Sequence, residues 1–559
     1  QSWNIISKDL TTNNPEKQKQ HESGGLTMDA TGAENNTTIL AISPSTVQEG
    51  VIWVGTDDGL VQLSKDGGNT WINVTKNISG MPKESWVAQI KPSTYKAGEA
   101  FVVVNNYRNF DFKPYLFHTT DYGQSWSSIV TVSQVWNYTL SFAQDPIEPK
   151  LLFLGSEGGL YVSIDKGSNW TKWNDNYPNV PTMDLVIHPR EHDLVIGTYG
   201  RAIYVMDDIR PLRKLAKEGG NVLDKTLQIF DTPIAYITIN QEASGTRFGA
   251  NAIFNGQNRK RGAMISYLIN KPKEEKKEEA IVKSKKPNKK KIEAVALKEN
   301  DADSTVKFDS LKFEIFNIRN EKIRTLKIKA PEKNGVHRTY WKMNEAGPNI
   351  PSRQKPEKDA IERGGVTVLP GDYKIRISYG DKQDSTIVKV LYDPRKDMSS
   401  SILETKYAFH KRIEKAMKSA QNASLRIVET KEIVAELIKK MEAKDKNGFK
   451  DQLKNSNAIK DSLEALFIPL IGKDNSKKQG INRSPVLNIL NRIFIASSYM
   501  RSSLLPPGAT ENRLAEHAEK ALNEHINIIN AFFEKDWKTY REAMELIDLS
   551  PFKDYEKLE

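Results

Sequence analysis

Three aspartates in the first half of the chain stand in one recurring pattern, Ser/Thr-x-Asp-x-Gly-x-x-Trp. Such a carboxylate could act as acid or base in glycoside hydrolysis, but that reaction needs a second carboxylate facing it across a pocket. The neighbours instead predict a turn, because Asp accepts hydrogen bonds from nearby backbone amides, Gly supplies positive φ, and Trp anchors the turn. We therefore interpret the motifs as structural. They comprise Ser64, Asp66, Gly68 and Trp71; Thr119, Asp121, Gly123 and Trp126; and Ser163, Asp165, Gly167 and Trp170.

Motifs for other chemistries are missing from the sequence. There is no His-Glu-x-x-His zinc motif, no Gly-x-Ser-x-Gly nucleophile elbow and no Gly-x-x-x-x-Gly-Lys phosphate loop. The absence of cysteine removes disulfides, thiolate metal sites and cysteine nucleophiles. The sequence therefore predicts no catalytic residue, no metal site and no cofactor.

The elements that carry the three motifs repeat as well. Apolar strands end in an X-Pro pair at Pro44, Pro92, Pro146 and Pro189, at intervals of about 40–55 residues, the length of a four-stranded blade. Between these pairs, further strands run into glycine turns. Each unit is predicted to contain a strand, an X-Pro turn, a strand, a glycine turn, a strand, the aspartate turn and a last strand that opens with Trp.

A family resemblance follows from these motifs and from GVIWVGTDDGLVQLSKDGGNTW, NNYRNFDFKPYLFHTTDYGQSW and HPREHDLVIGTYGRAIYVMDDIRPL. Residues 1–215 resemble the C-terminal portion of bacterial sortilin-type, Asp-box (BNR) repeat β-propeller proteins. The resemblance implies propeller blades. Such proteins are often labelled glycosyl hydrolases because sialidases carry the same box, but the label rests on a structural turn. The Arg-Ile-Pro signature of sialidases is absent from this stretch.

The blades are predicted to form an incomplete ring. Trp3-Asn4-Ile5-Ile6 aligns with the strand openings at Trp71 and Trp126, so it is expected to be the last strand of a preceding blade. About four full blades follow. An open arc would expose strand edges and an apolar flank, so we expect the remaining blades to come from upstream sequence or a second chain.

The face opposite the aspartate turns is the predicted binding face. In a four-stranded antiparallel blade, the turns after strands two and four open there, and propeller ligands commonly bind at such a face. The candidate binding residues in these turns are Asp57, Asp58, Tyr107, Arg108, Asp111, Glu157, Tyr199 and Arg201.

Two further domains are predicted. Residues 216–395 read as a β-sandwich that resembles immunoglobulin-like modules of the flagellar hook-cap type, with a Lys-rich loop inserted at 271–304. From 396 to 559 the apolar period becomes helical, which predicts an α-helical bundle. The fold class is thus multidomain, mainly β and then α.

The net charge of +11 owes much to the segment between Lys271 and Lys291, where mixed Lys and Glu indicate a solvated loop rather than an arm that binds nucleic acid. No apolar run approaches the ~18 residues of a membrane span. Asp-Ser-x segments resemble the O-glycosylation sites of Bacteroidota envelope proteins, and the export signal is expected to lie outside this chain. We expect a secreted, periplasmic or outer-surface location.

The predicted function is that of a noncatalytic binding or scaffold protein whose propeller binds a protein or a glycan. Two alternatives stay open. One is a glycan-active hydrolase of sialidase-like propeller type with catalytic residues outside this chain, and the other is a structural subunit of an envelope complex.

Overall fold

A computed structural model describes residues 2–19, 36–238, 259–272, 308–357, 360–473 and 487–549. Nearly all of the Lys-rich loop predicted at 271–304 lies outside these ranges. The described chain is mainly β-sheet as far as residue 392 and helical from residue 400 onward. This coarse division confirms the sequence prediction.

Four antiparallel meanders form the first part of the protein. In each, the strands pair in chain order, so that the first strand is one edge of the sheet. The first three sheets have four strands, and the fourth has three within the described residues. The strands are β1 (Ile39–Pro44), β2 (Ile52–Thr56), β3 (Val61–Ser64) and β4 (Ile72–Asn73); β5 (Trp86–Pro92), β6 (Ala100–Asn106), β7 (Asp111–Thr119) and β8 (Ser127–Ser128); β9 (Thr139–Gln144), β10 (Leu152–Ser156), β11 (Gly159–Ser163) and β12 (Thr171–Lys172); and β13 (Thr182–Ile187), β14 (Leu194–Thr198) and β15 (Ile203–Met206).

Successive sheets pack face to face, with their first strands β1, β5, β9 and β13 side by side. Strands β6 and β10 are buried on both faces, which explains why they read as continuous apolar runs rather than alternating ones. Gly155 allows the closest approach, because a Cβ there would lie 2.1 Å from Ser141 Oγ and 2.4 Å from the Thr182 carbonyl oxygen. The arrangement is consistent with a propeller-like fold.

The fourth sheet differs from the expected full blade. After β15 the chain enters helix α1 (Arg210–Glu218), which begins with a proline in its first turn. Proline favours a helix start and donates no hydrogen bond to a strand ladder, so no fourth strand follows here. The fourth sheet also lacks the aspartate motif.

Two further sheets share one hydrophobic core that includes Trp341 and Phe313. One has the order β16-β18-β21 and the other β17-β25-β24-β19-β20, with β17 parallel to β25. A small pair, β22-β23, adjoins them. The strands are β16 (Leu227–Ile229), β17 (Ala235–Ile237), β18 (Ala263–Ile269), β19 (Ser310–Phe316), β20 (Lys322–Lys329), β21 (Gly335–Trp341), β22 (Asn344–Ala346), β23 (Gly364–Thr367), β24 (Gly371–Tyr379) and β25 (Lys382–Tyr392).

The helical region starts with a long helix capped by Ser399, whose side chain accepts a hydrogen bond from the Ile402 amide. Two apolar clusters hold the helices together along this first helix. Among the described helices, none is both long and apolar enough to cross a membrane. The helices are α2 (Ser400–Asp445), α3 (Lys450–Ile471), α4 (Ile489–Ser502), α5 (Ala509–Phe532) and α6 (Lys538–Glu545), with a π-helical turn (Phe533–Trp537) before α6.

Candidate binding face

The strand order separates two kinds of turn. The three aspartate turns follow β3, β7 and β11, the third strands of their sheets. The turns after the second strands, β2, β6, β10 and β14, open at the opposite end because neighbouring strands are antiparallel. All the candidate binding residues lie in or next to this second set of turns.

The aspartate turns share one hydrogen-bond pattern. In each, Oδ1 of the aspartate accepts the amide of the residue four positions later, at 2.8 Å for Asp66, 2.9 Å for Asp121 and 2.9 Å for Asp165. The preceding Ser or Thr hydroxyl donates to the same oxygen. Hydrogen bonds from Thr70 and Ser125 lower the pKa of Asp66 and Asp121, respectively. Each motif aspartate, which could have acted as an acid or a base, is thus engaged in hydrogen bonds within its own turn.

Each aspartate turn also contacts the preceding part of the chain. A Cβ added at Gly68 would lie 2.9 Å from the Ile6 carbonyl oxygen, and added Cβ atoms at Gly123 and Gly167 would meet Val74 and Ile129. These three glycines have positive φ as well. Residues 3–6 form no strand, contrary to the sequence prediction. Even so, Ile6 occupies the place against the first sheet that Val74 and Ile129 occupy against the second and third.

On the opposite face, four aromatic and charged side chains stack in sequence. The Arg108 guanidinium lies 3.2 Å from the ring centre of Trp86 and 4.4 Å from that of Tyr107. Tyr107 in turn stacks on Tyr138 with ring centres 4.6 Å apart. The Tyr138 hydroxyl donates to Glu157 Oε2 at 2.8 Å. We call Trp86, Tyr107, Arg108, Tyr138 and Glu157 the aromatic–arginine cluster.

Neighbouring groups set the electrostatics of this cluster. Desolvation lowers the pKa of Arg108, while the nearby Tyr107, Tyr138 and Asp57 counteract that shift. Burial and the hydrogen bond to Glu157 raise the pKa of Tyr138, so its hydroxyl keeps its proton. The cluster therefore presents an exposed arginine on a rigid aromatic support.

The carboxylates of the nearby acidic candidates accept hydrogen bonds from other groups of the protein. Asp57 is buried and accepts the Thr38 amide at 2.7 Å, and Asp58 is buried and accepts the Thr12 amide at 2.7 Å. Burial alone would raise the pKa of Asp111, but hydrogen bonds led by the Tyr115 hydroxyl outweigh it and lower that pKa. These three carboxylates therefore hold the N-terminal residues and the β6–β7 turn in place.

Tyr199 and Arg201 lie in the β14–β15 turn with exposed side chains. No hydrogen bond or ring contact joins them to the aromatic–arginine cluster within the described ranges. The structure thus brings together Tyr107, Arg108 and Glu157 of the predicted set, and leaves the fourth-sheet residues apart.

Sequence reasoning missed Trp86 and Tyr138, which complete the cluster. Trp86 is the first residue of β5 and Tyr138 directly precedes β9, so both lie where the connection from the preceding sheet ends. Phe112 extends the aromatic surface, with its ring centre 6.3 Å from that of Tyr138, and it is half exposed. The sequence feature that could have pointed to these two residues is the density of aromatic residues at the ends of these connections.

Within the part of the chain that the structure describes, no group of three or more His, Asp or Glu side chains is placed to hold a metal ion.

Comparison with known proteins gives partial likenesses. No protein-family model matches the chain. Over 160 residues, which are 27% of this chain and 19% of the relative, the chain is 30% identical to a probable oligoxyloglucan-reducing end-specific xyloglucanase of Neosartorya fischeri. The chain thus spans about a fifth of the length of that relative.

Solved structures with partial likeness include YCF48 from Cyanidioschyzon merolae, at 18% identity, 30% of this chain, 55% of that chain and a TM-score of 0.22. YCF48 bound to D1 peptide matches at 14% identity, 42% of this chain, 60% of that chain and a TM-score of 0.23. TM-scores this low do not establish a shared overall fold. The comparisons therefore show weak homology to a glycoside hydrolase over part of the chain.

Proposed function

We propose that this protein is a noncatalytic binding or scaffold protein of the Asp-box propeller type, and that its aromatic–arginine cluster binds a protein or glycan ligand. The single observation that carries the proposal is the stacking of the exposed Arg108 between Trp86 and Tyr107. Trp, Tyr and Arg are the residues that dominate binding energy at interfaces. A guanidinium already fixed on aromatic rings loses little conformational entropy on binding.

The arrangement of carboxylates favours binding over hydrolysis. Glycoside hydrolysis requires one carboxylate as acid and another as base or nucleophile. On this face, Asp57 and Asp58 are buried against backbone amides, and Glu157 accepts a tyrosine hydroxyl. These carboxylates support the surface and are poorly placed to exchange protons with a substrate.

The experiment is a binding survey with a matched pair of variants. Immobilised wild-type protein would be offered an extract of the native source and a glycan array that includes xyloglucan oligosaccharides. Arg108→Ala should lower retention of the specific ligand at least tenfold, the loss expected for an interface anchor. Arg190→Ala removes an exposed arginine at the β13–β14 turn, on the opposite face, and should leave retention unchanged. Equal loss in both variants would contradict the proposal.

A second candidate is a glycan-active hydrolase, which the partial likeness to a xyloglucanase favours. Its test is release of reducing ends from xyloglucan oligosaccharides by the wild-type chain. Turnover that disappears in Glu157→Gln or Asp111→Asn would establish this alternative and overturn the noncatalytic proposal.

The remaining parts are proposed to serve as a platform. We assign 1–215 to propeller blades, 216–395 to an immunoglobulin-like sandwich and 396–559 to a helical bundle, in a secreted or cell-envelope protein. Exposed apolar residues on the first and fourth sheets, such as Ile42 and Val205, support a partner that supplies further blades. As a stable structural subunit, the chain would co-purify stoichiometrically with such a partner.

A further inference from the structure

A cleft lies between the β22–β23 hairpin and the helical region. It consists of two adjoining cavities of about 490 and 220 Å³, and the larger one falls in the range of small-molecule sites. Both cavities are lined by Val366, Thr367, His410 and Arg501. β23, α2 and α4 therefore meet around these two adjoining cavities. None of its residues belongs to the proposed binding face.

Both cavities are lined by positive charge. Arg501 lines both, Lys406 lines the smaller one and Arg363 lines the larger one. No carboxylate in the described parts of the chain forms an ion pair with Lys406 or Arg501. The Lys406 ammonium donates instead to the Ser503 carbonyl oxygen. The cleft thus contains cations that the protein does not neutralise.

One carboxylate, that of Glu414, also lines the larger cavity, but it already has an ion-pair partner and a hydrogen-bond donor. Its Oε2 lies 2.5 Å from Lys411 Nζ, and its Oε1 accepts the Val366 amide at 3.3 Å. Lys411 is paired with Glu345 as well, at 3.0 Å. Lys411 therefore offsets only one of these two carboxylates. The three cations that line the cavities, Arg363, Lys406 and Arg501, still outnumber the lining carboxylate Glu414, so the net charge of the lining stays positive.

Part of the remaining lining is apolar. Ile413, Met417 and Ile493 form a wall of the larger cavity, and Leu403 and Leu504 contribute to the smaller one. Leu504 is 41% exposed, so the smaller cavity is accessible from the surface. Apolar walls with a few convergent polar groups are typical of ligand sites.

We propose that this cleft binds a small anionic amphiphile, with its carboxylate or phosphate head between Arg501 and Lys406 and its alkyl chain along the apolar walls. Charge complementarity selects the anion, because an unpaired cationic cleft gains most from an anionic head group. Burial of the alkyl chain adds a favourable contribution for each methylene group removed from water. The inference is independent of the proposed function of the propeller face.

His410 supplies an internal reporter for this site. Burial, together with the charges of Arg501 and Lys406, lowers the pKa of its imidazole to about 4. The other ionisable groups that line the two cavities are Arg363, Glu414, Tyr392 and Tyr407. A bound anion would oppose the two cations, so it should raise the pKa of His410.

The experiment measures binding of octanoate to the whole chain by calorimetry, with the His410 titration followed by NMR. Octyl phosphate tests the alternative head group, octan-1-ol lacks the charge, and acetate lacks the chain. We expect octanoate, octyl phosphate or both to bind and to raise the His410 pKa. Octan-1-ol and acetate should bind at least tenfold more weakly than the better of the two.

Arg501→Gln should weaken binding about tenfold, the size of one charge-assisted hydrogen bond. Arg513→Gln removes an exposed arginine from α5 outside the cleft and should bind like the wild type. Thr367→Trp places a larger side chain in the wall that the two cavities share and should block binding. Thermal melting would verify that each variant folds. The proposal is overturned by failure of both amphiphiles to bind, by equal binding of octan-1-ol, or by equal effects of Arg501→Gln and Arg513→Gln.

Discussion

Trp170 Nε1 donates a hydrogen bond to the backbone carbonyl of Ile129 at 2.7 Å and thereby ties the third sheet to the end of the second. Trp71 makes the equivalent bond to the Ile6 carbonyl at 3.0 Å. Two of the three motif tryptophans, Trp71 and Trp170, therefore bond to the preceding part of the chain, and Trp71 also donates within its own turn to the Gly68 carbonyl.

Trp170→Phe should lower the free energy of unfolding by about 1 kcal/mol, the usual net value of one hydrogen bond. Trp126→Phe is the matched control, because the Trp126 indole donates only within its turn, to the Gly123 carbonyl. Chemical denaturation would compare the two variants. Each substitution removes one indole hydrogen bond, so equal losses would show that the bond between sheets contributes no more than the bond within a turn.

Asp121→Ala should lower stability by roughly 0.5–2 kcal/mol, as loss of a capping side chain does. The substitution removes the acceptor for the Ser125 amide and hydroxyl. Ligand affinity measured well below the melting transition should stay unchanged, because the turn lies opposite the proposed binding face. An unchanged melting temperature together with a loss of binding would show that ligands bind on the side of the aspartate turns and not on the proposed face.

Glu99 should make the protein sensitive to acid. Its carboxylate is buried, which alone would raise its pKa, but hydrogen bonds from His118, Lys166 and Ser93 outweigh burial and hold that pKa at about 2. A carboxyl group with a lowered folded-state pKa stabilises the protein above its ordinary pKa, and this contribution is lost as the pH falls toward 2. As the pH is lowered from 4.5 to 2, the melting temperature of Glu99→Gln should therefore fall less steeply than that of the wild type. A slope identical to that of the wild type would contradict this assignment.

The open face of the fourth sheet should promote self-association. Val186, Val195 and Val205 pair across β13, β14 and β15, so they form one apolar row, and Val186 and Val205 are 53% and 55% exposed. Replacing Val186 and Val205 by Ser should shift sedimentation toward the monomer. Ile318→Ser removes a still more exposed apolar side chain from another part of the surface and should have no effect. A wild-type protein that stays monomeric at high concentration would exclude this surface as an interface.

The repeating landmarks predicted the succession of strands and turns in the first three sheets, because turns and alternating strands are local features of sequence. They wrongly predicted a strand at residues 3–6 and a full fourth blade. They could not predict that Asp57 and Asp58 are buried. Those carboxylates bind Thr38 and Thr12, and the path of the N-terminal residues belongs to no repeat. Arg108 was predicted as a binding residue, whereas its partner Trp86 comes from a different turn and depends on packing between strands.

The most direct test of the proposed binding face is site-specific photo-crosslinking. A photoreactive phenylalanine analogue would replace Phe112, beside the aromatic–arginine cluster, or Gln124, in the aspartate turn of the same sheet. Both side chains are exposed, so both positions accept the probe without disturbing the core. Crosslinks to the native ligand from Phe112 and none from Gln124 are the predicted result. Crosslinks from Gln124 and none from Phe112 would contradict it.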